Sequence, residues 1–378
     1  MTHILFLMSD TGGGHRAAAR AIDAALTERF PGQFSTEMVD VWRDYTPFPL
    51  NAVPDVYGPW VNIHPASYSA VFWINDNFLA PRGKTRVNVE PLYPAMRSLY
   101  REHPADVVVC VHSMFVRPGI YAMRRRKLIK PFITVITDYA WPTVLWYDPR
   151  VDRCLVPTAP AFDRGLTLGM SAAQMRLTGA PVHPKFTKVK ISRAEAKQQL
   201  GWDANLPAVL LIGGGDGMGP LVETALAIDQ QHLRCQLVVI AGRNELMKAR
   251  LDAIAWHGKT HIYGFVNNME ILMTAADALV TKAGPGTITE AATIGIPLIL
   301  SGAIRFQESP NTEYVVQQGA GVYAPGPERV AETVAELFGT DSTRLRMLAR
   351  GVRKLANPDA IWQIAEEIQQ RTPAARLR

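Results

Sequence analysis

The stretch Ile4-Leu5-Phe6-Leu7-Met8-Ser9-Asp10-Thr11-Gly12-Gly13-Gly14-His15-Arg16 decides the fold. Its five-residue apolar run predicts a buried strand, and its glycines predict a loop whose backbone can press against a ligand. A helix starting near His15 would offer free N–H groups to an anion. The next segment, Ala17–Phe30, repeats apolar residues at Ala18, Ala21, Ile22, Ala25 and Leu26 and stops at Pro31-Gly32. A second strand follows at Thr36–Val41, and the resulting β-α-β order predicts a parallel sheet with right-handed crossovers. As a motif, Gly12 to Ala17 satisfies G-x-G-x-x-A, and Asp40 ends the next strand, so a dinucleotide site stays open at this point. His15 argues the other way. It would crowd a pyrophosphate, while a helix N-terminus favours its neutral form, which suits a general base.

The bulk properties narrow the class. At 378 residues, two domains are expected, and 48% hydrophobic with 20% charged residues describes an ordinary globular protein. A net charge of +6 points to an anionic partner such as nucleic acid, a nucleotide or an acidic membrane surface. The cysteines Cys110, Cys154 and Cys235 lack metal-like spacing and read as buried apolar residues of a reducing, cytoplasmic compartment. The N-terminus enters a strand directly and does not read as a signal peptide. No apolar run approaches the ~18 residues of a membrane span, so any membrane contact is expected to be peripheral.

Along the chain the α/β alternation fails once, from Trp42 to about Arg86. Trp42, Tyr45, Phe48, Tyr57, Trp60, Tyr68, Phe72, Trp73 and Phe78 are interleaved there with six prolines. Two readings stand: an aromatic cap over the sheet edge, or an apolar acceptor and lipid-interface surface. Short helices are expected at Val56–Ile63 and Tyr68–Phe78. The run Arg124-Arg125-Arg126-Lys127 with Lys130 fits a helix C-terminus that favours cations, with anionic lipid as the other possible partner. Regular alternation resumes at Glu90, and a stiff linker is expected at Thr178-Gly-Ala-Pro-Val-His-Pro-Lys185. A second strand-helix series then runs from Ala208. Its strands are expected at Ala208–Ile212, Gln236–Ala241, Ile262–Phe265, Ala278–Thr281 and Pro297–Leu300.

Three further loops follow strands of this second series. Gly213-Gly-Gly-Asp-Gly-Met-Gly-Pro220 is too rich in glycine for a purely structural turn, and Pro220 fits a first helical position. Thr281-Lys-Ala-Gly-Pro-Gly-Thr287 opens a helix that carries Glu290. Its N–H groups and the Thr287 hydroxyl could hold a diphosphate, and Glu290 the ribose hydroxyls. Gln307, Glu308 and Asn311 gather polar side chains after the strand Pro297–Leu300. All these loops lie at C-terminal strand ends, where open α/β sheets bind ligands.

On Met8–Arg16, Gly213–Pro220, Gly264-Phe-Val-Asn-Asn-Met-Glu270, Thr281–Thr287 with Glu290, and Gln307-Glu308-x-x-Asn311, the chain resembles the monogalactosyldiacylglycerol synthases and processive diacylglycerol glucosyltransferases, of glycosyltransferase family 28. The order of motifs is that of the family over nearly the whole chain. The resemblance implies the GT-B fold, two Rossmann-like domains facing across a cleft. Residues 1–180 would bind the acceptor and 185–355 the UDP-sugar, with 356–378 packing back on the first domain.

It further implies an inverting transfer of a hexose, galactose favoured and glucose possible, from a UDP-sugar to diacylglycerol. The protein would sit peripherally at the cytoplasmic face of an anionic membrane, with no cofactor, no metal and no nucleic acid. In this reading His15 is the base and Asp138 a further acceptor-side candidate. Gly14, Gly214, Gly215, Phe265, Val266, Gly284, Gly286, Thr287, Glu290, Gln307, Glu308 and Asn311 bind the UDP-sugar. Phe265 and Val266 would meet the uracil, and Gln307, Glu308 and Asn311 the sugar. Other possible readings are transfer to another lipid-linked or soluble acceptor, and a dinucleotide-dependent oxidoreductase. Two departures stand out: Arg305-Phe306 replaces the Pro-Gly of many relatives, and Tyr139-Ala-Trp-Pro-Thr-Val-Leu-Trp146 replaces the His and Trp that follow Thr-Asp in the glucosyl relatives.

Overall fold

The structure is a computed structural model and describes residues 1–79, 90–213, 219–339 and 342–372. Two six-stranded sheets, every strand parallel to its neighbours, organise the chain. The first holds β1 (Thr2–Met8), β2 (Phe34–Asp40), β3 (Val107–Cys110), β4 (Phe132–Val135), β5 (Arg153–Val156) and β6 (Met175–Leu177) in the order β2-β1-β3-β4-β5-β6. The second holds β7 (Ala208–Ile212), β8 (Gln236–Ile240), β9 (Thr260–Tyr263), β10 (Ala278–Lys282), β11 (Leu298–Gly302) and β12 (Gly321–Tyr323) in the order β12-β11-β10-β7-β8-β9. Strands buried on both faces explain the unbroken apolar runs: Ile4 to Met8 and Ala208 to Leu211 are almost fully buried. In each sheet the strand order reverses once, between β1 and β3 and between β7 and β10. Such switch points leave a crevice at the C-terminal ends of the strands.

The chain forms two compact units. One comprises Met1–Pro184, Arg305–Gln307 and Asn357–Arg378, the other Lys185–Ile304 and Glu308–Ala356. Within the first unit, the helix Ala360–Gln369 buries Ile361, Ile364, Ala365 and Ile368 in the same cluster as Ala21, Ile22 and Ala25 of the helix Gly14–Arg29. Glu367 on that terminal helix pairs with Arg153 of β5 at 2.8 Å and with Arg371 at 2.6 Å. The expected linker begins tightly: Gly179 has φ +88°, and a Cβ there would lie 2.8 Å from that of Ala360. Asn357 Nδ2 donates to the Thr178 carbonyl at 2.7 Å beside it.

Several expectations shift. The helix that leads into the basic run spans Ser113–Arg125; His112 caps its start through the amide of Met114, and Pro118 is accommodated inside it. The strand expected at Ile262–Phe265 is Thr260–Tyr263, which leaves Phe265 and Val266 in the following loop. The short edge strands β6 and β12 and the helix Ala159–Thr167 carry too few patterned residues to be read in sequence.

In the second unit, the helix Thr343–Leu355 lies against the backbone before β12. A Cβ on Gly351 would fall 1.8 Å from the Gly319 carbonyl oxygen, a backbone atom that cannot move aside cheaply. Gly351→Ala should therefore destabilise the protein by about 3 kcal/mol, an overpacking cost at the upper end of its usual range. Equilibrium urea unfolding checks this, and an unchanged midpoint would contradict it.

Candidate active site

The glycine loop is held from both sides. Asp10 takes a two-point ion pair from Arg16, Nε at 2.5 Å and Nη2 at 2.7 Å, and its own amide donates to Asp40 Oδ2 at 2.9 Å. The Arg16 guanidinium keeps the Asp10 carboxyl below the usual carboxylate range. Gly12 and Gly13 both have φ +73°, a backbone that side chains rarely adopt, so these two positions need glycine. Gly12 also lies 3.1 Å, at its would-be Cβ, from the ring of Tyr57 on the helix Val53–Ile63. Asp40 is buried, and its second oxygen accepts from the Arg43 amide at 3.2 Å as a helix cap. With both oxygens engaged, it is not presented to a ribose, as the dinucleotide reading would require.

His15 stands in the first turn after this loop. Its Nδ1 lies 2.7 Å from the Val111 carbonyl, which has no proton to give, so Nδ1 carries the proton and Nε2 keeps its lone pair. The Thr137 hydroxyl lies 3.0 Å from the same nitrogen. His112 packs its ring 4.3 Å from that of His15 and contacts the Thr11 hydroxyl through Nε2 at 3.1 Å. Desolvation pushes the His15 pKa down to about 4, against the pull of the Val111 bond and of Asp40. Asp138, one residue beyond Thr137, accepts the Trp146 indole N–H at 2.7 Å and the Thr143 amide at 3.4 Å. Asp138 therefore orients Trp146, whose ring lies 6.5 Å from that of His15. This cluster sits at the β1–β3 switch point.

The aromatic segment divides its work. Trp42 is buried in the core under the sheet, with Tyr45, Leu50 and Val53 packed against it, which fits the cap. Phe48, Ile63, Val71, Trp73 and Ile74 stay exposed on the same segment, which fits the apolar surface. Among the described residues, no helix is long and apolar enough to cross a membrane. Two members of the basic run bond to neighbouring elements: Arg124 donates to the Arg150 carbonyl at 2.9 Å and Arg126 to that of Arg97 at 2.8 Å.

In the second unit, the helix Pro285–Ile294 starts at the β7–β10 switch point with Gly284 as its cap and Pro285 in its first turn. Open space surrounds Gly286, leaving the helix N-terminus accessible. Glu290, one turn along, has its pKa pushed up to about 7 by burial; Lys185 opposes that and Glu270 adds to it. Lys185 pairs with Glu270 at 2.8 Å and donates to the Asn267 carbonyl at 2.6 Å, tying down the loop that carries Phe265 and Val266. Phe265 is about half exposed, with the Arg243 guanidinium 4.5 Å from its ring centre.

Glu308 and Asn311, expected at a sugar, are buried and already bonded. Glu308 accepts from Lys282 Nζ and from the Ile304 amide, each at 3.0 Å, and Asn311 Nδ2 donates to the Ala283 carbonyl at 3.0 Å. Gln307 falls with Arg305 and Phe306 in the first unit. Phe306 has φ +68°, a left-handed conformation that costs a residue with a side chain about 1–2 kcal/mol. Gly214 and Gly215 lie outside the described residues. Residues that sequence reasoning missed are Thr137, Val111 and His112, which hold His15, and Lys282.

Comparison with known proteins agrees with this anatomy. The profile of the "Monogalactosyldiacylglycerol (MGDG) synthase" family matches residues 15–182, and that of the "Glycosyltransferase family 28 C-terminal domain" matches residues 208–359. A probable monogalactosyldiacylglycerol synthase of Glycine max is 35% identical, covering 97% of this chain and 71% of the relative. Monogalactosyldiacylglycerol synthase 2 of Arabidopsis thaliana is 36% identical, covering 99% and 83%. Among solved structures, MurG of Acinetobacter baumannii superposes with a TM-score of 0.62 at 15% identity, covering 98% of this chain and 100% of that one. The glycosyltransferase of kitacinnamycin gives 0.62 at 18% identity, covering 98% and 99%. Both likenesses speak for the GT-B fold.

The low His15 pKa gives a checkable consequence. The unfolded chain binds a proton here near pH 6.5 and the folded one near 4. This site's share of stability is therefore present above the unfolded value and is lost as pH falls through that window. In an NMR titration, His15 should stay neutral with a bare Nε2 until about pH 4. A midpoint near 6.5 would contradict the assignment.

Proposed function

The chain belongs to the monogalactosyldiacylglycerol synthase family of glycosyltransferases, and from that premise we propose that it moves galactose from UDP-galactose to diacylglycerol, with inversion, at a membrane surface. The observation that carries the reading is the His15 geometry: a neutral imidazole with a fixed proton on Nδ1 and a bare Nε2. Nε2 takes the proton of the lipid hydroxyl as that oxygen attacks the sugar's anomeric carbon. The bond from that carbon to the β-phosphate oxygen breaks, and its electron pair leaves on UDP. The helix start at Gly284, Gly286 and Thr287 stabilises the departing charge with oriented N–H groups.

Phe265 and Val266 flank the uracil and Glu290 accepts from the ribose. Gln307 faces the sugar on a loop shaped by the bonds of Glu308 and Asn311. Gly14, Gly214 and Gly215 belong to the donor-binding set in this reading. Asp138 keeps Trp146 in place beside the base. Residues up to about 180 take the acceptor and those from 185 to about 355 the donor, the last helix belonging with the former. The exposed Phe48, Ile63, Val71, Trp73 and Ile74 support peripheral attachment to lipid, and the net charge of +6 favours an anionic surface. The protein would then work at the cytoplasmic face of the membrane.

The direct experiment incubates purified protein with diacylglycerol vesicles and labelled UDP-galactose or UDP-glucose, then identifies the glycolipids. Monogalactosyldiacylglycerol is the expected product; labelled lipid from UDP-glucose only, or none at all, would overturn the reading. UDP should raise the melting temperature and NAD should not. His15→Ala should cut turnover about a thousandfold while leaving UDP affinity nearly intact, and unchanged turnover would remove His15 as the base. Glu290 titrates near neutrality, and a carboxylate that accepts from ribose binds best when ionised. UDP affinity should therefore fall as pH drops below about 7, and Glu290→Gln should flatten that profile. Isothermal titration across pH checks it; a flat wild-type profile would move Glu290 away from the ribose.

A further inference from the structure

Lys282 is the last residue of β10, two positions before the cap of the helix Pro285–Ile294. The pairing of β10 with β11 shifts register between Thr281 and Lys282, an irregularity of the kind that re-aims a side chain. The backbone after it is pinned. The Ala283 amide donates to the Gly302 carbonyl and the Gly284 amide to that of Lys282, each at 2.8 Å, and Asn311 takes the Ala283 carbonyl at 3.0 Å.

The side chain is pinned as well. Its ammonium meets Glu308 Oε1 at 3.0 Å, and the other oxygen of that buried carboxylate is fixed by the Ile304 amide. A Cβ placed on Gly284 would lie 3.8 Å from Lys282 Cε and 3.9 Å from Glu308 Oε1, so the ion pair stands directly against the helix start. Glu308 is 5% exposed at its side chain and Lys282 33%. The ammonium is thus gripped by Glu308 at the helix start, on a side chain that is one-third exposed. A buried carboxylate needs such a partner, and a cation held this way loses little freedom when a second anion arrives.

We propose that Lys282 is the charge partner of the donor's diphosphate and that Glu308 is a positioning residue acting through it. This rests on the transferase reading above and extends it. When the glycosidic bond to UDP breaks, the electron pair settles on the β-phosphate oxygen. The Lys282 ammonium donates a hydrogen bond there and keeps its proton, adding a full charge to the partial charges of the helix start. Glu308 does not contact the sugar; it sets where the ammonium stands.

The test compares wild type, Lys282→Gln, Lys282→Arg, Glu308→Gln and the double variant Lys282→Gln/Glu308→Gln, each checked for folding by its melting curve. UDP and uridine binding are measured by isothermal titration and transfer by labelled product. Lys282→Gln should weaken UDP at least about tenfold, leave uridine unchanged and lower kcat about a hundredfold or more, with Lys282→Arg recovering most of the affinity. Glu308→Gln should lower kcat more than it raises KM, and should cost nothing further in the Lys282→Gln background. Wild-type UDP affinity and turnover in Lys282→Gln would overturn the proposal while leaving the transferase reading intact. Additive losses in the double variant would return Glu308 to an independent role. A wild-type protein that binds uridine and UDP equally, or neither, would overturn the reading beneath it.

Discussion

The hydrogen bond between His15 Nδ1 and the Val111 carbonyl governs what the first unit can do. It joins the loop after β1 to the end of β3, two strands that are neighbours only because the chain reverses its winding direction between them. The parallel register that sets Leu7 beside Cys110 brings donor and acceptor within reach. Once made, the bond fixes which nitrogen carries the proton. Desolvation then keeps the ring neutral. A flexible histidine in water would titrate near neutrality and sample both tautomers, and its lone pair would be poorly aimed. Here loop conformation, sheet order and acid-base state are one constraint, which the two left-handed glycines and the Asp10–Arg16 pair maintain.

The second unit repeats the same architecture, and in the proposed transfer it serves the opposite charge. Its switch point lies between β7 and β10, and the helix that starts there presents N–H groups where the first unit presents the neutral imidazole of His15. A sugar transfer separates charge, leaving a proton to be taken at one end and a diphosphate to be stabilised at the other. Fixed dipoles and a braced ammonium stabilise an anion without reorganising at the moment of bond breaking, and in that they resemble an oxyanion hole. The buried Glu308 carboxylate would be a liability by itself. Paired with Lys282, it becomes a means of placing a cation.

Much of this was legible in the sequence because glycine and strand signals are local. Apolar runs marked β1, β2 and β7 to β11, and three glycines before His15 marked the loop. Edge strands of three residues, Met175–Leu177 and Gly321–Tyr323, were not legible, since their pattern is too short to separate from loop. Contacts at long range were also hidden. Nothing in the string ties Val111 or Thr137 to His15, 96 and 122 residues away, and their part follows from strand order. For Asp40 and Glu308 residue type alone says little about surroundings: both are buried and bonded to groups within the protein. The left-handed backbone of Phe306 was equally hidden, since its residue type does not signal a positive φ.

The measurement that bears most directly on this account is the anomeric configuration of the glycolipid, read from the anomeric proton by NMR after reaction with α-linked UDP-galactose. A base that deprotonates the acceptor on the face opposite a departing diphosphate must invert the centre in one step. The account predicts a β-linked galactolipid throughout the time course. An α-linked product would mean two displacements or attack from the leaving-group side. In either case His15 could not be the base described here.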